Sequence, residues 1–277
     1  MAKIDPLKRG FVINSYWGPR PETPVEIAAR CQTLLNRLAA ISPKFSGWNF
    51  VGRKPPPQGR QQGRMDTPAE RYWRGSYTIA ADDLSDATLI RLVEAGIHRD
   101  DDGVPDPELG YRFSAFARSR RDPDGMSLRI HAGCWTSAPF YTNTVHIETR
   151  PPCDKNQAWL TLSVLKAAML AVATTWDATW ASVYPDDLGE LWTPAYIKRR
   201  PTFQMAWITY LSPRFAQMIT PPNSAIVEYT PRGGIVMTAS RQRFDVTNPT
   251  HMAVAREIEA ALAPINALPW PPDEQPG

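Results

Sequence analysis

Proline constrains this chain more than any other feature. Of 277 residues, 28 are proline, roughly twice the usual share of about 5%. Each proline fixes one backbone angle and removes one donor, so it is excluded from helix interiors and central strands. A chain interrupted this often folds from many short elements and stiff turns, not from a bundle of long helices. Its length allows one large domain, or two small ones, with a sizeable core. Apolar residues at 43% and charged residues at 21% exclude a disordered chain, a collagen and a coiled coil.

The prolines also mark the elements. Phe11 to Trp17 alternates and stops at Gly18-Pro19, which predicts a strand. Thr23-Pro24-Val25-Glu26 follows. It has a helix N-cap, a proline at the first helical position and the acid that closes a capping box. Ile27, Cys31, Leu34, Leu35, Leu38 and Ile41 then repeat at helical spacing until Pro43. Residues 52–68 (GRKPPPQGRQQGRMDTP) have no periodicity and read as an exposed loop. Tyr72–Ile79 reads as a strand, and Ser85 or Asp86 caps a short helix ending at Gly96.

Three strand-like runs come next, Tyr111–Arg118, Ser127–Cys134 and Thr142–Thr149, joined by turns as in an antiparallel meander. A helix is expected from about Lys155 to Thr175. It overlaps Ala158–Trp176, the one stretch that resembles a membrane span, but Lys166 at its centre is costly in lipid. Trp180–Tyr184 and Met205–Leu211 read as strands. Ala225–Thr230 and Ile235–Ser240 form a hairpin about Pro231-Arg232-Gly233-Gly234. Asn248-Pro249 starts a last helix that runs to about Leu262. Runs of strands followed by helices predict an α+β fold, with antiparallel sheet or sheets flanked by helices. The expected organisation is one domain over residues 1–268, with sub-halves 1–178 and 179–268, and a flexible tail over 269–277.

The formal net charge of +3 hides a segregation. Residues 1–80 hold 13 basic against 5 acidic side chains, residues 81–110 hold 2 against 9, and residues 111–277 hold 16 against 14. The acidic segment ends in His98–Glu108 (HRDDDGVPDPE), which misses the calcium-loop spacing and predicts a solvated loop, not a metal site. Acidic patches steer basic partners, so Asp100, Asp101, Asp102, Asp106 and Glu108 are the candidate partner-binding residues. Asp186, Asp187 and Glu190 are expected to extend that surface. The basic clusters Arg53, Lys54, Arg60, Arg64 and Lys198, Arg199, Arg200 accompany no recognition motif, so direct nucleic-acid binding is not expected.

Cys31, Cys134 and Cys153 form no C-x-x-C pair, which suits a reducing compartment. With no apolar signal core at the N-terminus, a cytoplasmic location is expected. No phosphate loop, nucleophile elbow or H-E-x-x-H helix is present. His131, His146, Cys134 and Glu148 on neighbouring strands are the one conceivable catalytic group, for a small hydrolase or transferase. Unconverged strand residues are the simpler reading, and neither a cofactor nor a metal is expected. Ten tryptophans are scattered along the chain. Core packing accounts for most, and an exposed one would be an interface candidate.

Three segments together resemble the immunity protein 52 family of bacterial polymorphic-toxin systems. They are Tyr16-Trp17-Gly18-Pro19-Arg20-Pro21-Glu22, Trp207-Ile208-Thr209-Tyr210-Leu211-Ser212, and Phe244-Asp245-Val246-Thr247-Asn248-Pro249-Thr250-His251. The resemblance implies an α+β, non-enzymatic inhibitor. Its partner would be a cognate toxin with a restriction-endonuclease-like nuclease domain, in some systems delivered by type VI secretion. No membrane partner is implied. A homodimer is compatible with an inhibitor of this size, and no sequence feature marks one.

Overall fold

The computed structural model describes residues 10–53, 76–100, 103–117, 125–136, 142–149, 158–191 and 203–268. The basic clusters expected at residues 54–64 and 198–200 lie outside these, as does the tail over 269–277. Within the described residues, ten strands join in one antiparallel sheet. They are β1 (Phe11–Trp17), β2 (Trp48–Arg53), β3 (Ser76–Ala80), β4 (Tyr111–Ala117), β5 (Met126–Ala132), β6 (Asn143–Thr149), β7 (Trp180–Pro185), β8 (Ile208–Leu211), β9 (Ile226–Tyr229) and β10 (Ile235–Thr238). The sheet order is β3-β2-β4-β5-β6-β1-β7-β8-β10-β9. The meander is β4-β5-β6. The first strand lies between it and the C-terminal strands, so the two expected sub-halves share one sheet.

Six helices are described: α1 (Pro24–Ile41), α2 (Asp86–Ala95), α3 (Leu162–Thr175), α4 (Pro213–Ala216), α5 (Pro249–Ala261) and α6 (Ala263–Asn266). The capping box forms as the spacing predicts. Thr23 Oγ1 accepts from the Glu26 backbone N–H, and the Glu26 carboxylate accepts from the Thr23 N–H at 2.8 Å. Thr23→Ala removes one half of this exchange and is expected to cost about 1 kcal/mol, measurable as a fall in thermal midpoint.

Two expectations are corrected. α3 starts at Leu162 rather than near Lys155, because Thr161 caps it by accepting from Val164 N–H; residues 155–157 lie outside the described part. The run Met205–Leu211 is a strand only from Ile208. The sequence does not predict β2. Among the described residues no helix is long and apolar enough to cross a membrane.

Strand alternation sends Ile13, Ser15 and Trp17 of β1 to one face, with Leu128 and Ile130 of β5 and Val145 and Ile147 of β6. This face is covered. α3 packs on β1 and β7, α2 on β2 and β4, and α1 lies against both helices. Trp17 stacks on Trp176 at 5.0 Å between ring centres. Among the described residues, the opposite face is covered only at the C-terminal end. There β7, β8 and β10 are buried throughout, and Phe203 packs on Trp180 at 4.9 Å, its backbone held by Asn266 of α6.

Candidate functional site

Past Trp180 the described residues leave the second face of the sheet open. β4, β5, β6 and β1 present Arg112, Ser114, Arg129, His131, Thr144, His146, Asn14 and Tyr16 there, the residues alternate to the core positions. They line a cavity of about 470 Å³ that continues between β2 and β4 to Val51, Leu92, Ala95 and Gly96. Its walls are internally bonded. Asn14 Nδ2 donates to Tyr16 Oη at 2.8 Å, Thr144 Oγ1 donates to Asn14 Oδ1 at 3.1 Å, and Tyr16 stacks on Trp180 at 4.6 Å. Gly96 admits no side chain, because a Cβ would lie 2.2 Å from the Arg112 carbonyl oxygen.

His131 is buried, and its Nε2 lies 2.6 Å from the Leu109 carbonyl oxygen. Burial pushes the imidazole down to about 4, against the pull of that carbonyl, so the ring is neutral near pH 7. Glu148 sits at the far end of the same face, 2.9 Å from Arg129 and 3.8 Å from His146. The neighbouring His146 ring, followed by Arg129, holds Glu148 below the usual carboxylate range.

The imagined catalytic group does not assemble as a nucleophile and its base. His131 and His146 both line the cavity, but Cys134 does not. The Cys134 thiol is buried, and burial raises its pKa, the opposite of what activates a nucleophile. Among the described residues no group of three or more His, Cys, Asp or Glu could hold a metal.

The acidic residues are divided. Residues 97–100 and 103–110 pair as the two arms of a hairpin on the start of β4, through backbone bonds from His98 N–H to the Gly110 carbonyl and from Arg112 N–H to the Gly96 carbonyl. Asp100 Oδ1 accepts from Val104 N–H at 2.8 Å and Asp106 Oδ1 from Glu108 N–H at 3.0 Å, so both carboxylates shape the turn. Glu108 is exposed. Asp101 and Asp102 lie outside the described residues. Asp186 and Asp187 follow β7 at the opposite end of the strands, where Asp186 N–H bonds the Gly10 carbonyl. Burial raises the Asp186 pKa. Glu190 belongs to the same 3-10 segment, Asp186–Leu191, and its side chain is not described. The two acidic groups therefore lie at opposite ends of the strands, about 20 Å apart along them and four strand positions apart across the sheet, from β4 to β7.

Sequence reasoning missed Asn14, Tyr16, Arg112 and Arg129. The signal was available: period-two alternation in the meander places Arg112/Ser114, Arg129/His131 and Thr144/His146 on one face. Of the tryptophans, Trp17, Trp48, Trp176, Trp180 and Trp207 are buried, while Trp135 is 45% exposed and bonds the Glu108 carbonyl through its backbone N–H.

The segments that carry the resemblance are architectural. Arg20 and Arg30 both reach the buried Glu22 carboxylate, at 3.1 and 3.0 Å, and Arg30 continues to Asp177 at 3.0 Å. The other two segments form one unit. Trp207 Nε1 donates to the Ser240 carbonyl, Ser240 Oγ meets His251 Nε2, and His251 Nδ1 accepts from Asp245 N–H.

A family model, Immunity protein 52, matches residues 74–268. Among solved structures the chain is similar to a Pseudomonas aeruginosa type VI secretion system protein, PA0821. The TM-score is 0.53 and the identity 12%, over 91% of this chain and 74% of that one. No curated protein matches the chain.

Proposed function

Because the chain belongs to the immunity protein 52 family, we propose that it binds a cognate toxin of a type VI secretion system and neutralises it by stoichiometric protein–protein inhibition in the cytoplasm. The family match, which runs from just before β3 to the end of α6, carries this reading. The likeness in fold to a type VI secretion system protein supports the secretion context. The toxin is read as one with a restriction-endonuclease-like nuclease domain. No catalytic step, cofactor or nucleic-acid contact is assigned to this chain.

The acidic hairpin is the proposed point of contact with a basic surface on the toxin. Asp100 and Asp106 hold the turn, so replacing them with lysine would confuse charge with folding. Asp100→Asn, Asp106→Asn and Glu108→Gln keep the acceptors and remove three charges. The triple variant is expected to bind toxin at least about tenfold more weakly, mostly through slower association. Equal affinity at low salt would remove the hairpin from the interface.

The immunity reading itself is tested by affinity capture from the native lysate with toxin production induced, followed by mass spectrometry and a growth assay. One nuclease-domain protein at near-equal stoichiometry, with growth rescued by this chain, is the expected result. A captured toxin whose killing this chain does not relieve would refute it.

A further inference from the structure

The open face contains a pocket whose anatomy the acidic hairpin lacks. β2 follows β4 for three register pairs, Trp48 to Phe50, and then diverges, while it stays beside β3 for five. The sheet opens between Val51 and Ser114, and the cavity enters this opening until it meets Leu92 and Ala95 of α2. The floor is thus apolar. The rim is cationic, since Arg112 and Arg129 line it and, among the described residues, no carboxylate does. Glu148, outside the lining, holds Arg129 at the edge. The hydrogen bonds among Asn14, Tyr16 and Thr144 make the shape preformed, and about 470 Å³ lies within the range of roughly 300–1,000 Å³ usual for ligand pockets.

A small molecule would need only the pocket. Here the pocket adjoins the hairpin, which starts at its Gly96 and Arg112 wall, and the exposed Trp135 lies on the hairpin's other side. That continuity extends the surface to the scale of a protein partner. Interface energy concentrates where a large side chain fills a desolvated pocket and charged groups ring it. Resting on the toxin-binding reading, we propose that the split between β2 and β4 receives an aromatic anchor side chain of the toxin, flanked by an Asp or Glu that meets Arg129 and Arg112. The hairpin and the pocket then present opposite charges to one partner and fix its orientation.

Two variants of the full chain test this. Ser114→Trp fills the mouth, and Arg129→Gln keeps the volume but removes rim charge. The first probes are the capped dipeptides acetyl-Trp-Glu-amide and acetyl-Trp-Lys-amide, titrated into labelled protein by NMR. The acidic dipeptide is expected to shift the Ala95, Ser114 and Thr144 amides saturably, and about threefold more tightly than the basic one. Ser114→Trp should abolish the shifts, and Arg129→Gln should erase the preference. With the captured toxin, Ser114→Trp should bind at least about tenfold more weakly.

Absence of shifts with both dipeptides, or toxin binding by Ser114→Trp equal to that of the wild type, would overturn the proposal. Identical shifts with inorganic phosphate would also overturn it, by reducing the pocket to a bare anion site. If Ser114→Trp does not fold, Arg129→Gln decides: an unchanged preference between the dipeptides rejects the rim. Failure to capture any toxin would count against the immunity reading, while the dipeptide titration still reads the pocket independently.

Discussion

Trp207→Ala is expected to lower the free energy of unfolding by about 4 kcal/mol, within the range for emptying a buried aromatic site. Trp207 is fully buried and packs on Phe11 with ring centres 5.3 Å apart. Its indole N–H donates to the Ser240 carbonyl at 2.9 Å, and Ser240 is itself held by His251 of α5. The alanine leaves a cavity and strips one buried carbonyl of its partner. It also loosens a contact through which β1, the 239–251 segment and α5 support each other. Trp207→Phe keeps most of the ring and loses only the donor, so it should cost about 1–2 kcal/mol. Urea unfolding followed by circular dichroism measures both. An alanine variant within about 1 kcal/mol of the wild type would mean that the segment closes over the gap.

The second large effect is on pH dependence. An unfolded histidine takes up its proton near pH 6.5, whereas folded His131 resists protonation until about pH 4. Between these values the unfolded chain binds more protons, so stability rises with pH across the window and is lost as pH falls through it. The shift corresponds to about 3 kcal/mol. Arg112 and His98, both close to the ring, act in the same direction as burial. His131→Gln retains a donor for the Leu109 carbonyl and does not titrate. Its stability relative to the wild type is therefore expected to improve by about 3 kcal/mol between pH 7 and pH 4. Parallel pH profiles for the two proteins would show that His131 takes up its proton as readily in the fold as in the unfolded chain. His251, whose pKa burial also lowers, contributes to the slope of both proteins and cancels in the comparison.

Local signals are legible wherever the physics is local. Thr23, Pro24 and Glu26 lie within one turn, and their mutual hydrogen bonds need nothing from the rest of the chain. The Asn248-Pro249 start of α5 is the same case, with Asn248 Oδ1 accepting from Thr250 and His251 N–H. β2 escapes sequence reasoning because Trp48–Arg53 carries Gly52, weakly alternating side chains and a Pro/Gly-rich sequel; its strand character comes from pairing with β3 and β4. Periodicity misplaces the start of α3 because Trp159 fits helical spacing as well as it fits a turn before a cap. The candidate pocket is illegible for a different reason. Its polar wall follows from alternation, but its depth comes from the angle at which β2 leaves β4, which no single segment encodes.

The position of β1 has a consequence for how the protein is made. Its backbone is satisfied by β6 on one side and β7 on the other, and Phe11 N–H reaches Thr149 across 138 residues of sequence. Of the described strands, β1 is synthesised earliest and must wait longest for its neighbours. Contacts of such high sequence separation slow folding and leave apolar strands uncovered in the interval. A fragment ending before β6 retains β1 with neither partner, so the N-terminal half is expected to depend on completion of the chain rather than to fold ahead of it.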